Sequence, residues 1–289
     1  MATRVYNDGR VVLPEEATVP VFDRGFLYGD SVYEVLRTFG GHPFALTEHL
    51  ARLAASAAGL GLTLPARAAV AGAITETLAA AGNPESYVRI VVTRGSGPIG
   101  LDPALGDRPR LVVIVTELAL PDDLLYRDGA EVAIVNVQRN HPRALDPAVK
   151  SGNYLNSVLA LAEARRRGAY EAVLRDGEGR LTEGASSSIF VVTRGVVRTP
   201  PLRVGILDGI TRRQTLALAQ AAGIETREAM LEPADLRGAE EAFLTSTVRG
   251  ILPVVRVDGA AIGDGRPGPV TLALRRGYLE LAARTAVGA

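Results

Sequence analysis

The sequence predicts an α+β protein of two domains, and three observations support this prediction. The chain has 289 residues, which is enough for two modest domains or one large domain with a sizeable core. Strand-like and helix-like hydrophobic patterns alternate on both sides of a polar stretch around Pro121-Asp122-Asp123. We therefore predict a small N-terminal α/β domain over residues 1–117, an interdomain linker over 118–128 and a larger C-terminal domain over 129–289.

The elements of the N-terminal domain follow from turn and capping signals. Asp8-Gly9 is a strong two-residue hairpin turn. Thr47 is positioned to cap one helix, and Gly82-Asn83-Pro84 stops the next. We predict a hairpin over 4–12, helices over 47–58 and 66–81, and strands over 87–93 and 110–116 that are joined by a glycine-rich segment.

The C-terminal domain is longer but follows the same alternation. Gly223 closes one helical pattern, and Asp258-Gly259 marks a second hairpin. We predict strands over 131–138, 170–175, 188–193 and 243–247, a hairpin over 254–262, and helices over 155–167, 211–222 and 270–287.

Composition excludes several function classes. The 32 basic and 32 acidic side chains cancel, so no excess positive field attracts nucleic acid. The chain has no cysteine, which removes disulfides, thiolate nucleophiles and thiolate metal sites, and nothing else in it indicates a metal site. No apolar run reaches the roughly 20 residues of a membrane helix, and no leader pattern is present. We expect a soluble, cytoplasmic protein that acts on small molecules.

Lysine is nearly absent from this chain. Of its 32 basic residues, 31 are arginine and Lys150 is the remaining one. Arginine replaces lysine as a charge, but it does not deprotonate and so cannot act as an amine nucleophile or proton carrier. Lys150 is therefore a Schiff-base candidate, although the count alone favours a chance surface lysine and its surroundings must decide. It precedes a predicted helix, at a junction where a side chain can project into a cleft between domains.

Three further segments carry groups that suit a pyridine ring with a phosphate. Glu183 is followed by the small residues Gly184 and Ala185, so its carboxylate could approach a ring nitrogen closely, or it could be a turn residue. Residues 205–211 lead into a helix, whose first amides form an anion site. The hydroxyl cluster Thr245-Ser246-Thr247 could serve the same phosphate, or consist of ordinary strand residues.

These pieces, in this order, resemble the class IV aminotransferases, which are fold-type IV pyridoxal-phosphate enzymes, and most closely the branched-chain amino acid aminotransferases. The resemblance runs from about Val21 to Tyr278. The motifs that carry it are Tyr28-Gly29-Asp30-Ser31-Val32-Tyr33-Glu34, Glu48-His49-Leu50-Ala51-Arg52-Leu53, the run from Lys150 to Ser157, Ala162-Glu163-Ala164, Glu183-Gly184-Ala185, and Gly209-Ile210-Thr211-Arg212.

The resemblance implies a D-amino acid aminotransferase-like fold, a cofactor in the interdomain cleft and at least a homodimer. Lys150 would hold pyridoxal 5'-phosphate as an internal aldimine and move the proton between substrate and cofactor. Glu183 would pair with the pyridine nitrogen and Tyr154 with the phenolic oxygen. The phosphate would be bound by Arg52, Ile210, Thr211 and Thr247.

The resemblance also indicates a substrate class. Tyr87-Val88-Arg89 matches a tyrosine-any-arginine pattern of the branched-chain enzymes, which favours an L-branched-chain amino acid with 2-oxoglutarate as partner in a ping-pong reaction. The residues expected to contact substrate are Tyr28, Tyr33, Arg37, Tyr87, Arg89, Val248 and Arg249. Arg249 could clamp a substrate carboxylate or point outward, and the same two interpretations apply to Arg37 and Arg94.

Other motifs keep alternatives open. Phe22-Asp23-Arg24-Gly25 and the serine run 186–188 are similar to the D-amino acid enzymes, and an R-amine substrate belongs to the same alternative. Thr93-Arg94-Gly95-Ser96-Gly97 is similar to 4-amino-4-deoxychorismate lyases, which would need no amino acceptor. A non-catalytic protein on this fold is a third hypothesis, which the presence of both Lys150 and Glu183 disfavours.

Overall fold

The computed structural model describes residues 2–106 and 108–287, and the chain divides into two compact units. The first contains residues up to Ala119 together with Val149–Asn153 and 283–287. The second contains Leu120–Ala148 and Tyr154–Ala282. The sequence predicts one continuous C-terminal domain from residue 129, whereas the five-residue segment that carries Lys150 clusters with the first unit.

The first unit is a six-stranded sheet with two long helices on one face. Its strand order is β2-β1-β6-β5-β3-β4, and every strand pair is antiparallel. The elements are β1 (Arg4–Asn7), β2 (Arg10–Val12), α1 (Arg24–Tyr28), β3 (Ser31–Phe39), β4 (His42–Pro43), α2 (Leu46–Gly59), α3 (Arg67–Ala81), β5 (Ser86–Thr93) and β6 (Arg110–Glu117).

Alternation along the strands of the first unit produces its core. Alternate apolar residues of β3, β5 and β6, such as Val32, Ile90 and Val113, are fully buried in a cluster with apolar residues of α2 and α3. The hairpin at Asp8-Gly9 and both long helices are confirmed. The predicted Thr47 cap is wrong, because the N-cap is Ala45, in a left-handed conformation with φ 53°, and Thr47 lies within the first helical turn.

The second unit is a nine-stranded mixed sheet with the path β12-β11-β10-β13-β14-β7-β8-β9, and β15 pairs with β14. The elements are α4 (Asp123–Arg127), β7 (Ala130–Gln138), α5 (Leu155–Arg166), β8 (Glu171–Arg175), β9 (Leu181–Gly184), β10 (Ser188–Thr193), β11 (Val196–Thr199), α6 (Ile210–Ala221), β12 (Thr226–Glu228), α7 (Pro233–Arg237), β13 (Glu241–Ser246), β14 (Gly250–Val257), β15 (Ala260–Ala261) and α8 (Pro269–Val287).

The side chains on the two faces of β7 and β8 pack into two separate hydrophobic clusters. Val132 and Ile134 of β7 belong to a cluster that includes Leu236 of α7, while the alternate residues Ala133 and Val135 pack against α5. The α5 side is rich in alanine, so the helix approaches the sheet closely. Residues 123–127, within the predicted linker, form the short helix α4.

In the described part of the chain, no helix is both long and apolar enough to cross a membrane.

Candidate functional site

The segment that carries Lys150 is held against β3 and α2 by its backbone. The Lys150 N–H donates to Ser56 Oγ at 3.1 Å, and the Lys150 carbonyl accepts from the Tyr33 N–H at 3.0 Å. The Gly152 N–H donates to the Ser31 carbonyl at 2.7 Å, and a Cβ on Gly152 would clash with Ser31 Oγ. Hydrogen bonds on both sides of the lysine therefore fix the point from which its side chain projects.

The Lys150 amine lies on Tyr33. Its Nζ is 3.2 Å from the Tyr33 hydroxyl and 4.3 Å from the centre of that ring. The guanidinium carbon of Arg89 lies 4.2 Å from the centre of the same ring, which is 4% exposed. The structure thus groups three residues that were selected separately from the sequence: the candidate nucleophile and two candidate substrate residues.

Arg52 is oriented by a buried carboxylate. Glu34 Oε1 accepts from Arg52 Nε at 2.7 Å, and Glu34 Oε2 accepts from Arg52 Nη2 at 2.8 Å, which makes a two-pronged ion pair. His49 Nδ1 donates to the same Oε2 at 2.7 Å. The side chain of Glu34 is fully buried and that of Arg52 is 11% exposed. The two-pronged bond fixes the plane of the guanidinium.

The protonation states in this cluster follow from burial and charge. Burial alone would raise the pKa of Glu34, but the hydrogen bonds and charges of Arg52 and His49 outweigh it and lower that pKa to about 2. Burial lowers the pKa of His49, against the opposing effect of Glu34. At neutral pH the carboxylate is therefore ionised and the imidazole is neutral, with Nδ1 carrying the proton.

In the second unit, Glu183 at the end of β9 is held by two donors. Arg139 Nε donates to Oε1 at 2.8 Å, and the Leu207 N–H donates to Oε2 at 3.2 Å. Arg139 Nη1 in turn lies 3.4 Å from Asn156 Oδ1. The side chain of Glu183 is 8% exposed. This carboxylate is buried, oriented and paired with a cation, as expected of a group that faces a ring nitrogen.

The start of α6 suits an anion. Gly209 is its N-cap residue, and the cap makes no side-chain hydrogen bond to the first-turn amides, which include those of Ile210 and Thr211. On the neighbouring strand β13, Thr245 Oγ1 is buried and has no hydrogen-bond partner among the described residues. The first unit supplies an oriented arginine and an amine, and the second supplies a donor-rich helix start and an oriented carboxylate, which are the kinds of group that pyridoxal 5'-phosphate requires. The residues present fit that cofactor.

Arg249 points inward. Its Nη1 lies 2.8 Å from Oε2 of Glu171, which is 1% exposed, and its Nη2 donates to the Ser186 carbonyl and hydroxyl at 3.1 and 2.9 Å. Its Nε donates to Ser246 Oγ at 2.9 Å. The outward orientation considered from the sequence is wrong. A two-pronged clamp on a substrate carboxylate would require Arg249 to release some of these bonds.

Arg37 and Arg94 occupy different environments. Arg94 Nε donates to Asp30 Oδ2 at 2.7 Å, and its two terminal nitrogens donate to the carbonyls of Leu60 and Gly61, so it fastens a loop. Arg37 is 8% exposed, with its guanidinium carbon 4.0 Å from the centre of the Phe39 ring.

The remaining candidates are spread over both units. Tyr28 ends α1, and its hydroxyl accepts from the Gly100 N–H at 3.2 Å. Tyr87 lies on β5 and is half-buried. Tyr154 is the N-cap residue of α5, and Thr247 and Val248 form the turn between β13 and β14.

The residues that orient the candidate groups were not selected from the sequence; they are Glu34, His49, Ser56, Arg139 and Glu171. One signal for Glu34 was present: it is a charged residue on the apolar face of a strand, between Val32 and Leu36. Nothing local distinguishes Arg139 from the 30 other arginines.

Comparison with known proteins agrees with this geometry. The family model described as amino-transferase class IV matches residues 31–257. A Methanocaldococcus jannaschii protein, provisionally named a branched-chain-amino-acid aminotransferase, is 40% identical over 279 residues, which cover 96% of each chain. A Bacillus licheniformis D-alanine aminotransferase is 33% identical over 98% of this chain and 99% of its own.

A solved structure extends the comparison. The T.th. branched-chain amino acid aminotransferase with pyridoxamine 5'-phosphate superposes with a TM-score of 0.94 and 32% identity, covering 100% of this chain and 97% of that one. The chain belongs to the class IV aminotransferases, and the predicted fold class is confirmed. It is a pyridoxal-phosphate enzyme that transfers amino groups.

Proposed function

We propose that this enzyme moves an amino group between an L-branched-chain amino acid and a 2-oxo acid, with 2-oxoglutarate as the partner. One observation carries the proposal: the Lys150 amine and the Arg89 guanidinium lie on the same tyrosine ring, 4.3 and 4.2 Å from its centre. A cation that could pair with a substrate carboxylate therefore lies near the amine. The branched-chain names of the relatives support the same substrate class.

The chain's own residues would divide the work as follows. Lys150 would bind the cofactor covalently and carry the proton that moves at the substrate carbon. Glu183, which accepts a hydrogen bond from Arg139, would keep a proton on the ring nitrogen. When bound, pyridoxal 5'-phosphate supplies the carbonyl carbon that accepts an amine and a ring that withdraws electrons. Tyr154 would bind the phenolic oxygen, and the phosphate would be bound by Arg52, Thr247 and the amides of Ile210 and Thr211.

Substrate recognition would use the side chains that the family resemblance selects. Tyr33 contacts the amine, with its hydroxyl 3.2 Å from Nζ. The other residues proposed to contact substrate are Tyr28, Arg37, Tyr87, Arg89, Val248 and Arg249.

A single-turnover experiment tests the substrate. The cofactor-loaded enzyme is mixed separately with L-leucine and with D-alanine, and loss of the lysine-bound cofactor absorbance is followed. We expect rapid loss with L-leucine, slow loss with D-alanine, and a slower L-leucine reaction in Arg89→Met than in the exposed control Arg67→Met. Loss mainly with D-alanine would overturn the branched-chain assignment.

D-Amino acids are the second candidate. The D-alanine aminotransferase relative covers nearly the full chain, and Ser186 of the serine run 186–188 forms hydrogen bonds with Glu171 and Arg249 in the second unit. An R-amine would fall under this alternative as well. A 4-amino-4-deoxychorismate lyase would turn over without any 2-oxo acid, so dependence on an acceptor and parallel lines in initial-rate plots separate the transaminases from it.

We also propose that the enzyme works in the cytoplasm as a homodimer or larger homo-oligomer. Apolar side chains on the first unit are exposed: Phe22 is 52%, Phe26 70%, Ile99 75% and Leu101 81% exposed. Arg24 Nη1 and Nη2 donate to the carbonyls of Gly100 and Leu101, which keeps the two segments adjacent. Sedimentation of wild type and Phe26→Asp checks this, with a shift toward monomer expected.

A further inference from the structure

The contact between β3 and α2 contains polar side chains inside an apolar core. Val32 and Leu36 of β3 pack with Leu50 and Leu53 of α2. Between them lie Glu34, which is fully buried, His49, which is 1% exposed, and Ser56, which is 2% exposed. A charged pair in such a position contributes little net stability compared with apolar side chains of similar volume. Stability alone therefore does not account for these residues.

One face of α2 carries three polar side chains. His49, Arg52 and Ser56 are spaced by three and four residues, so they lie along the same side of the helix. His49 and Arg52 bind Glu34, and Ser56 Oγ accepts the Lys150 N–H at 3.1 Å. The arginine proposed for the phosphate and the lysine proposed for the carbonyl carbon are thus anchored to one strand and one helix.

Pyridoxal 5'-phosphate holds its carbonyl carbon and its phosphate at a nearly fixed separation. A protein that binds both ends gains most when the two receiving groups are already at that separation. An unrestrained arginine has several rotatable bonds and loses entropy on binding. The two-pronged bond to Glu34, completed by His49 Nδ1 at 2.7 Å, removes that freedom before the ligand arrives.

We propose that Glu34 and His49 are positioning residues that orient Arg52 for the cofactor phosphate, and that Ser56 is a positioning residue for Lys150. The inference rests on the proposed roles of Arg52 and Lys150. Glu34 and His49 would therefore act only on ligands that carry a phosphate. Ser56 would act equally on ligands with and without one.

The test compares pyridoxal 5'-phosphate with pyridoxal, which lacks the phosphate. Dissociation constants for both are measured on the apoprotein from the absorbance of the lysine-bound ligand, and inorganic phosphate is titrated as a competitor. The ratio of the two constants reports the contribution of the phosphate. No catalytic turnover enters this readout.

In Glu34→Gln, the preference for the phosphorylated ligand is expected to fall about tenfold, because one oriented charge-assisted contact is weakened. Binding of pyridoxal should stay within about twofold of wild type, since its contacts do not involve Arg52. His49→Leu removes one of the three bonds to Glu34 and should give a smaller fall in the same ratio. Ser56→Ala should weaken both ligands by the same factor and leave the ratio unchanged.

Glu48→Gln is the matched control, since Glu48 lies on α2 next to His49 but is exposed. A ratio unchanged from wild type in both Glu34→Gln and His49→Leu would overturn the inference. If Glu34→Gln does not fold, the His49→Leu ratio decides alone. Failure of the wild-type chain to bind either aldehyde, or unchanged binding in Lys150→Ala, would instead overturn the proposed function.

Discussion

Each unit of the chain contains a buried carboxylate–arginine pair at a candidate cofactor position, and the two pairs are built differently. In the first unit, Glu34 is fully buried and accepts three hydrogen bonds, two of them from Arg52. In the second, Glu183 is 8% exposed and accepts from Arg139 through a single nitrogen, with one amide on the other oxygen.

The difference agrees with the roles proposed for the two pairs. Glu34 is enclosed, and Arg52, which is 11% exposed, is the member that we propose binds the phosphate. Glu183 accepts from Arg139 through Oε1 and from the Leu207 amide through Oε2, and it is the member that we propose meets the ring nitrogen. The same ion-pair chemistry therefore supports opposite assignments, with a carboxylate orienting an arginine in one case and an arginine orienting a carboxylate in the other.

Breaking the more buried pair, Glu34 with Arg52, should have the largest effect on the free energy of unfolding. Arg52→Met leaves the Glu34 charge buried and is expected to lower the free energy of unfolding by about 3–5 kcal/mol. Arg139→Met should cost less, because Glu183 retains the Leu207 amide and some solvent exposure. Urea denaturation of both variants measures this. Equal losses would contradict the contrast, and Glu34→Leu combined with Arg52→Met should recover much of the stability.

Acid should weaken the first unit through the same pair. The pKa of Glu34 is about 2 in the folded chain against an ordinary value of 4.5, so its stabilisation is complete above pH 4.5 and is lost as pH falls toward 2, by about 3 kcal/mol. The pKa of His49 is lowered from 6.5, so stability begins to fall below pH 6.5 as the unfolded chain takes up that proton.

Denaturation curves between pH 7.5 and 3 check this dependence. The variant His49→Leu is expected to flatten the portion just below pH 6.5. A wild-type stability that rises on acidification through this range would contradict the assigned charge states.

Removing the charge in the second pair should affect catalysis more than binding. Glu183→Gln is expected to lower kcat about a hundredfold, because the amide does not hold a proton on the ring nitrogen as a carboxylate does. Cofactor should still bind through the other contacts. Steady-state rates and bound-cofactor absorbance measure this against Glu178→Gln, whose side chain is 72% exposed. A fall in cofactor affinity with unchanged kcat would reverse the role assigned to Glu183.

The smallest effect on kcat is expected from a change at Asn156, which contacts Arg139 of the second pair. Asn156 Oδ1 lies 3.4 Å from Arg139 Nη1, which is a long hydrogen bond. Asn156→Ala should change kcat by less than about threefold. A loss as large as that of Glu183→Gln would mean that the orientation of Arg139 depends on this contact.

Much of the fold could be predicted because its signals are local. The Asp8-Gly9 hairpin, the α3 helix that ends at Gly82 and the α6 helix that ends before Gly223 are each specified by neighbouring residues. The pairing of the strands is not specified by neighbouring residues. The strand β7 pairs in parallel with both β8 and β14, which lie far apart in the sequence. The clustering of residues 149–153 with the first unit is likewise a property of the folded chain.

The residues of the candidate site also fall into two groups, those that the sequence identifies and those that only the folded structure identifies. Lys150 could be selected because a lysine stands out among 31 arginines, and Glu183 and Arg52 because their motifs resemble a family. Their partners could not be selected, since Arg139 is 44 residues from Glu183 and Glu34 is 18 residues from Arg52. Such pairs are defined by distance in space.

The position of the covalently bound cofactor is the most direct test of the role given to Lys150. The enzyme loaded with pyridoxal 5'-phosphate is reduced with borohydride, digested and mapped by mass spectrometry. Lys150 carries the single lysine amine of the chain, so we expect one phosphopyridoxyl group on the peptide that contains residue 150, and none in Lys150→Arg. An active enzyme whose label lies elsewhere, or whose Lys150→Arg variant retains normal turnover, would contradict that role.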